Sequence, residues 1–154
     1  MAGKISAGLL VYRRRGGEIQ VLLAHPGGPL FAKKDAGAWT IPKGETEGEE
    51  EDLLERARIE FREEVGVPAP GGPYLELGAV TQKAGKRVHA WACEGEFEGV
   101  ARSNTFEMEW PPRSGKMREF PEVDRVEWFG VEEARGKLNG AQLELVERLL
   151  GRIG

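Results

Sequence analysis

Between Gly44 and Val67 the chain reads GETEGEEEDLLERARIEFREEVGV, and this stretch constrains the fold more than any other. Leu54, Ala57, Phe61 and Val65 recur at spacings of three and four, the pattern of a helix with one buried face. The predicted helix begins after Gly48, and Glu49, Glu50, Glu51 and Asp52 load its first turn, where negative charge is favourable. Gly66 suits the left-handed residue that closes a helix, and Pro68 stops its continuation. The far end is electrostatically wrong. Glu60, Glu63 and Glu64 occupy the last turns, where the helix carries partial negative charge and prefers cations. Glu60 and Glu64 are also four apart, so like charges share one face. Each effect costs only a few tenths to about 1 kcal/mol. Their accumulation at one point suggests a site that awaits a divalent cation, with a solvated acidic helix face as the plainer alternative.

The charge distribution sharpens this choice. The chain has 154 residues and a net charge of −4. Residues 44–66 hold nine Glu and one Asp against three Arg, a local charge of −7, so the other 131 residues sum to +3. An acidic segment within a mildly basic body fits a site where cations and basic side chains share the load of an anionic substrate. The length is that of one domain, residues 1–154, with a real core. No apolar run reaches the roughly 18 residues of a membrane span, and the N-terminus lacks a cleavage-type signature. The single cysteine, Cys93, lies in the strand-like VHAWACEGE with no activating pattern around it. It reads as a core thiol, and a cytoplasmic protein is expected.

Around the helix the chain alternates between strands and turns. ISAGLLVYR (Ile5 to Arg13) and EIQVLLAH (Glu18 to His25) read as buried strands joined through Arg15-Gly16-Gly17. Residues 26–37, rich in Gly and Pro, read as a loop, and Ala38 to Ile41 as a short strand stopped by Pro42. Tyr74 to Lys83 and Arg87 to Glu94 are predicted strands, residues 100–122 irregular, and Arg125 to Phe129 a last strand. Val131 to Ile153 is mostly helical, with Leu143, Val146, Leu149 and Leu150 as its apolar stripe and a break at Asn139-Gly140. Together these elements predict a mixed α/β layered domain.

A helix can present two carboxylates at i and i+4 to a hard cation such as Mg²⁺ or Mn²⁺. Glu60 and Glu64 meet that spacing, Glu63 lies beside them, and a backbone carbonyl of Lys43 or Gly44, where the chain leads into the helix, can add a ligand. The segment resembles the Nudix box, G-x5-E-x7-R-E-U-x-E-E-x-G-U with U apolar. Aligned from its C-terminal end, the chain supplies Glu51, Glu60, Phe61, Glu63, Glu64, Gly66 and Val67, preceded by Pro42-Lys43-Gly44-Glu45. The order of strands from ISAGLLVYR to RVEWF is also similar, so the likeness spans nearly the whole chain. Two positions depart. Glu51 lies seven residues after Gly44 rather than six, and Ile59 stands where the box has an arginine that orients the glutamates. Three explanations stay open: Arg58 or Arg62 substitutes, the glutamates are held differently and turnover is weaker, or Ile59 packs into the core.

The resemblance implies an α/β (α+β) fold, an α/β/α sandwich with a mixed central sheet. It implies divalent-metal-dependent hydrolysis of a nucleoside diphosphate linked to another moiety: a dinucleoside polyphosphate, a nucleoside triphosphate or a nucleotide sugar. Mg²⁺ or Mn²⁺ would be held by Glu60 and Glu64, with Glu63 as a further ligand or supporting acceptor. The catalytic base would be a box glutamate (Glu63 or Glu64) or a later one, Glu119 or Glu122 in REFPEVDRVEWF. On the substrate side, His89 and Trp91 alternate in KRVHAWACE and share one strand face; they would bind a phosphate and stack on a base. Lys43, Lys86 and Arg87 would take further phosphate charge. The KxVxxW pattern is similar to the diadenosine-polyphosphate-hydrolysing branch. The run from Arg102 to Glu122 interleaves Phe106 and Trp110 with Arg113, Lys116 and Arg118 and reads as a specificity element. A small-molecule nucleotide is the expected partner, with no duplex nucleic acid, no membrane, and a monomer or homodimer. The rivals are a Nudix-fold nucleotide-sensing module without turnover, motivated by Ile59, and an acidic scaffold helix without metal.

Overall fold

The computed structural model describes residues 4–46 and 52–154. Strand β1 (Ile5–Arg15) organises the rest. Its side chains alternate between two faces, as a pleated strand requires: Ala7, Leu9 and Val11 enter one apolar cluster, Leu10 and Tyr12 the other. β2 (Glu18–Pro26) returns antiparallel to its second half, from Tyr12↔Val21 to Arg15↔Glu18. This pairing leaves the first half of β1 free on that edge. β3 (Lys43–Glu45) fills it, with Ser6↔Glu45, Ala7↔Gly44 and Gly8↔Lys43. The expected strand Ala38 to Ile41 is thereby corrected. Trp39 and Thr40 make only isolated bridges, and the strand lies past Pro42, where an open strand edge is available.

Helix α1 (Leu53–Val65) follows, and Asp52 is its cap rather than part of its first turn: the carboxylate accepts from the N–H groups of Leu54 and Glu55 at 3.0 and 3.2 Å. Glu49, Glu50 and Glu51 lie outside the described residues. β4 (Leu75–Thr81) and β5 (Arg87–Glu94) form a hairpin, and β5 runs parallel to β1, from Ile5↔Arg87 to Tyr12↔Glu94. β6 (Thr105–Glu109) and β7 (Met117–Pro121) form a separate two-stranded sheet. This overturns the irregular reading of residues 100–122, because Pro111, Pro112, Ser114 and Gly115 occupy only the turn between two strands. β8 (Val123–Gly130) pairs with β2, giving a six-stranded mixed sheet of order β4-β5-β1-β2-β8 with β3 beside β1.

The terminal helix is broken at Asn139-Gly140 as expected, into α2 (Val131–Lys137), a short 3₁₀ turn at Gly140–Gln142, and α3 (Leu143–Ile153). Leu145, Val146 and Leu149 bury α3 against one face of the sheet with Leu10, Val21, Leu23, Val88 and Ala90. On the other face Ala57, Phe61 and Val65 bury α1 against Ala7, Leu9, Val11, Leu22 and Cys93. Full burial of a side chain such as Phe61 stabilises by about 1.5–3 kcal/mol, so these anchors outweigh the electrostatic penalty at the helix end. The result is an α/β/α sandwich with a mixed sheet. Among the described residues no helix is long and apolar enough to cross a membrane. Cys93 is buried and its thiol is pushed up to about 12 by burial alone, which keeps it inert.

Candidate active site

Glu60, Glu63 and Glu64 project from α1 into one cavity of about 460 Å³. Its other walls are Ser6 on β1, Lys43, Gly44 and Glu45 on β3, Gln82 and Lys86 at the β4–β5 turn, Asn104, and Glu122. Register explains the first wall. β3 lies beside β1 and under α1, so the backbone N–H of Lys43 donates to Glu64 Oε1 at 3.1 Å. Gly44 is required by proximity: a Cβ there would lie 2.1 Å from the carboxyl carbon of Glu60.

The last turn of α1 explains the second wall. Gly66 takes the left-handed conformation (φ 95°) and donates to Arg62 O at 2.9 Å. Helix carbonyls left without a partner must find donors elsewhere. The carbonyl of Val65 accepts from Arg102 N at 2.9 Å and that of Glu63 from Asn104 N at 2.8 Å. Asn104 O in turn accepts from Glu122 N at 2.8 Å. A chain of backbone hydrogen bonds thus leads from the helix end to Glu122.

The electrostatics of the cavity are those of a charge imbalance. Glu64 is pushed up to about 8, chiefly by burial, with Glu60 and Glu122 adding to the rise and the N–H and ammonium of Lys43 opposing it. Burial, then Glu63, raises Glu60, and its hydrogen bond from Arg56 opposes the rise. Lys43 is lowered by burial first, with Glu64 opposing. Five carboxylates (Glu45, Glu60, Glu63, Glu64 and Glu122) therefore share the cavity with two lysines, and burial, with neighbouring carboxylates adding to it, makes Glu60 and Glu64 hold their protons more tightly than a free carboxylate. Among the described residues no three carboxylate, imidazole or thiol groups are drawn together as a ready ligand shell. The donor set nonetheless fits a hard divalent cation: oxygen ligands only, from Glu60, Glu63 and Glu64 in one cavity.

The remaining sequence-predicted residues separate. Lys86 lines the cavity and Arg87, exposed on β5, does not. Glu122 lines it, whereas Glu119 sits on β7 directly opposite Glu107 of β6. His89 and Trp91 do share a face, stacked on each other with ring centroids 4.6 Å apart, and His89 Nε2 is 2.8 Å from Glu76 Oε2. Neither lines the carboxylate cavity. Ile59 is not drawn into the core; with Arg62, Glu63 and Asn104 it lines a separate cleft. Sequence reasoning missed Ser6, Gln82 and Asn104, whose positions follow from strand pairing and helix-end hydrogen bonds that leave no local signal. It also missed Arg56, whose spacing of four from Glu60 was available.

The sequence matches the family model of the NUDIX domain over residues 3–149. The chain belongs to the Nudix family, whose members are generally pyrophosphohydrolases that use divalent metals such as Mg²⁺ or Mn²⁺. Solved structures agree in fold. An Ap4A hydrolase of C. elegans in a binary complex is similar at a TM-score of 0.68 with 20% identity, over 96% of this chain and 97% of that one. The NUDIX domain of Shewanella oneidensis NrtR, complexed with ADP ribose, has a TM-score of 0.68 with 15% identity, over 100% of this chain and 90% of that one. The Nudix hydrolase RenU of M. smegmatis has a TM-score of 0.61 with 17% identity, over 99% and 88%. No match was found among curated proteins.

Proposed function

We propose that this chain is a divalent-metal-dependent pyrophosphohydrolase that cleaves a phosphoanhydride bond in a nucleoside diphosphate linked to another moiety. The observation that carries the reading is one cavity lined by the carboxylates Glu45, Glu60, Glu63, Glu64 and Glu122 together with Lys43 and Lys86. Glu60, Glu63 and Glu64 would hold Mg²⁺ or Mn²⁺, with carbonyls of Lys43 or Gly44 in reach as further ligands. When bound, the cation neutralises diphosphate charge and lowers the pKa of a coordinated water. Lys43 and Lys86 bind phosphate oxygens, and the more buried Lys43 also holds the charge that develops on the leaving group. Glu122, whose backbone is tied to the helix end through Asn104, accepts the proton of the attacking water. Burial of Lys43 and Glu64 limits water and strengthens each of these interactions.

A panel of dinucleoside polyphosphates, nucleoside triphosphates and nucleotide sugars, incubated with Mg²⁺ or Mn²⁺ and with EDTA, tests the reading. Metal-dependent release of a nucleoside phosphate supports it, and an unreactive panel overturns it. Ile59 motivates a second reading, a nucleotide-sensing module. Calorimetry that shows tight binding of a panel member with no product would select that alternative.

A further inference from the structure

We propose that Arg56 is the positioning residue that holds Glu60 in this chain, taking over from one helical turn away the role of the arginine that the Nudix box carries at position 59. The inference rests on the metal-binding reading of Glu60 given above and concerns what keeps that carboxylate in place.

The geometry of a helix sets the terms. Position 59 is rotated about 100° from Glu60, whereas position 56 is one turn earlier on nearly the same face. Arg56 Nη1 lies 3.3 Å from Glu60 Oε1, and the two side chains are only 11% and 13% exposed. Most exposed ion pairs contribute little because water competes for both partners; this pair is largely withdrawn from that competition. A guanidinium is planar and permanently charged, which suits it to fixing the direction of a carboxylate. Gly44 leaves the room that this position of the Glu60 carboxyl group needs, since a Cβ there would lie 2.1 Å from its carboxyl carbon. The hydrogen bond from Arg56 is made to Oε1.

The two arginines that flank Ile59 more closely are elsewhere. Arg58 Nη1 donates to Glu55 Oε2 at 2.9 Å and its guanidinium lies 5.8 Å from the ring centre of Tyr74. Arg62 is exposed and shares with Ile59 the separate cleft beside Asn104. Of the three arginines of α1, Arg56 is thus the one that reaches a cavity carboxylate. The absence of an arginine at 59 then does not imply a disabled site, since the orienting charge enters from a different position of the same helix.

The test compares wild type with Arg56→Ala, Arg56→Lys, Arg56→Ala/Ile59→Arg and, as a control, Arg58→Ala. Two quantities are read: Mn²⁺ affinity without nucleotide, by paramagnetic resonance titration, and kcat and KM on whichever panel substrate is turned over. Loss of a partner that orients a metal ligand typically costs about 10–100-fold. Arg56→Ala should weaken Mn²⁺ by an amount in that range and lower kcat by a similar factor with KM within about twofold. Arg56→Lys should recover part of the loss, and adding Ile59→Arg should recover more. Arg58→Ala should change neither quantity. If Arg56→Ala binds Mn²⁺ within twofold of wild type, the proposal is overturned. It is equally overturned if Arg58→Ala weakens Mn²⁺ as much. The Mn²⁺ titration decides even if no panel nucleotide is hydrolysed, so failure here and failure of the hydrolase reading are distinguishable. If Arg56→Ala does not fold, the Arg56→Lys titration decides: Mn²⁺ affinity more than twofold below wild type supports the proposal, and affinity within twofold of wild type overturns it.

Discussion

The backbone N–H of Lys43 donates to Oε1 of Glu64 at 3.1 Å, which ties β3 to the last turn of α1 at the pair of residues that bring opposite charges into the cavity. The bond and the ammonium beside it oppose the burial of Glu64 without cancelling it, and its carboxyl is still raised to about 8.

The sign of the resulting pH dependence is unusual for a carboxylate. Glu64 holds its proton more tightly in the folded protein (about 8) than an ordinary glutamate does (4.5). Its contribution to stability is therefore full below about pH 4.5 and is lost as pH rises through about 8. In EDTA, the thermal midpoint of wild type should fall relative to that of Glu64→Gln as pH goes from about 5 to about 8. Saturating Mn²⁺ should remove the fall in wild type only, and Mn²⁺ affinity should rise over the same interval, because the metal competes with the proton. Parallel melting curves for the two proteins in EDTA would remove the assigned shift.

Glu64→Gln should also abolish turnover, by more than the roughly 10–100-fold that loss of a ligand's supporting partner costs. The reading requires that this occur in a protein whose melting point at alkaline pH is at least that of wild type. Activity within tenfold of wild type would take Glu64 out of the site.

Gly44→Ala separates shape from charge. The new Cβ would meet the carboxyl carbon of Glu60 at 2.1 Å, so Glu60 must move. Displacement of a reacting or ligating group by about 1 Å costs about 10²-fold in rate, and Mn²⁺ titration should show the same variant binding more weakly. Unchanged kinetics would show that Glu60 works from another position.

Of the two late glutamates, only Glu122 reaches the cavity. Glu122→Gln should lower kcat by about 10²–10⁴-fold, the range for loss of a general base, while Glu119→Gln should stay within about twofold of wild type. The reverse ranking, read from initial rates, would move the base onto the β6–β7 hairpin.

Lys86→Ala should act on binding more than on chemistry. Removing a phosphate contact of equal strength in ground and transition states raises KM, here by roughly 3–10-fold, and leaves kcat nearly unchanged. A fall in kcat at constant KM would instead assign Lys86 to the leaving group.

Helix α1 was legible in the sequence because its buried positions Ala57, Phe61 and Val65 obey a helical period that the structure preserves. β1, β2 and β5 were legible for the corresponding reason, as dense apolar runs between turn residues. β3 was not. Its location depends on which edge of β1 is left open by β2, a property of pairing rather than of the three residues Lys43–Glu45. The β6–β7 hairpin was hidden by the prolines and glycine of its turn, although Phe106, Met108 and Trp110 do alternate with Glu107 and Glu109. In the cavity, the helix carboxylates were visible from spacing alone. The approach of Asn104 to the helix end was not, because it is made by backbone groups that every residue carries. Arg56 is not adjacent to Ile59 in sequence, and its link to the site follows from its spacing of four from Glu60 on the helix.

β1 writes into both apolar clusters at once, with Ala7, Leu9 and Val11 on one side and Leu10 and Tyr12 on the other. A single inserted or deleted residue within it would exchange the two sets, turning the α1 face toward α3 and the reverse. Changes of length are therefore tolerable in the connections, such as the segment between β2 and β3, and not within β1. β1 can diverge by replacement but has no freedom to grow or shrink, and its reading frame relative to β5 is the part of the protein least open to drift.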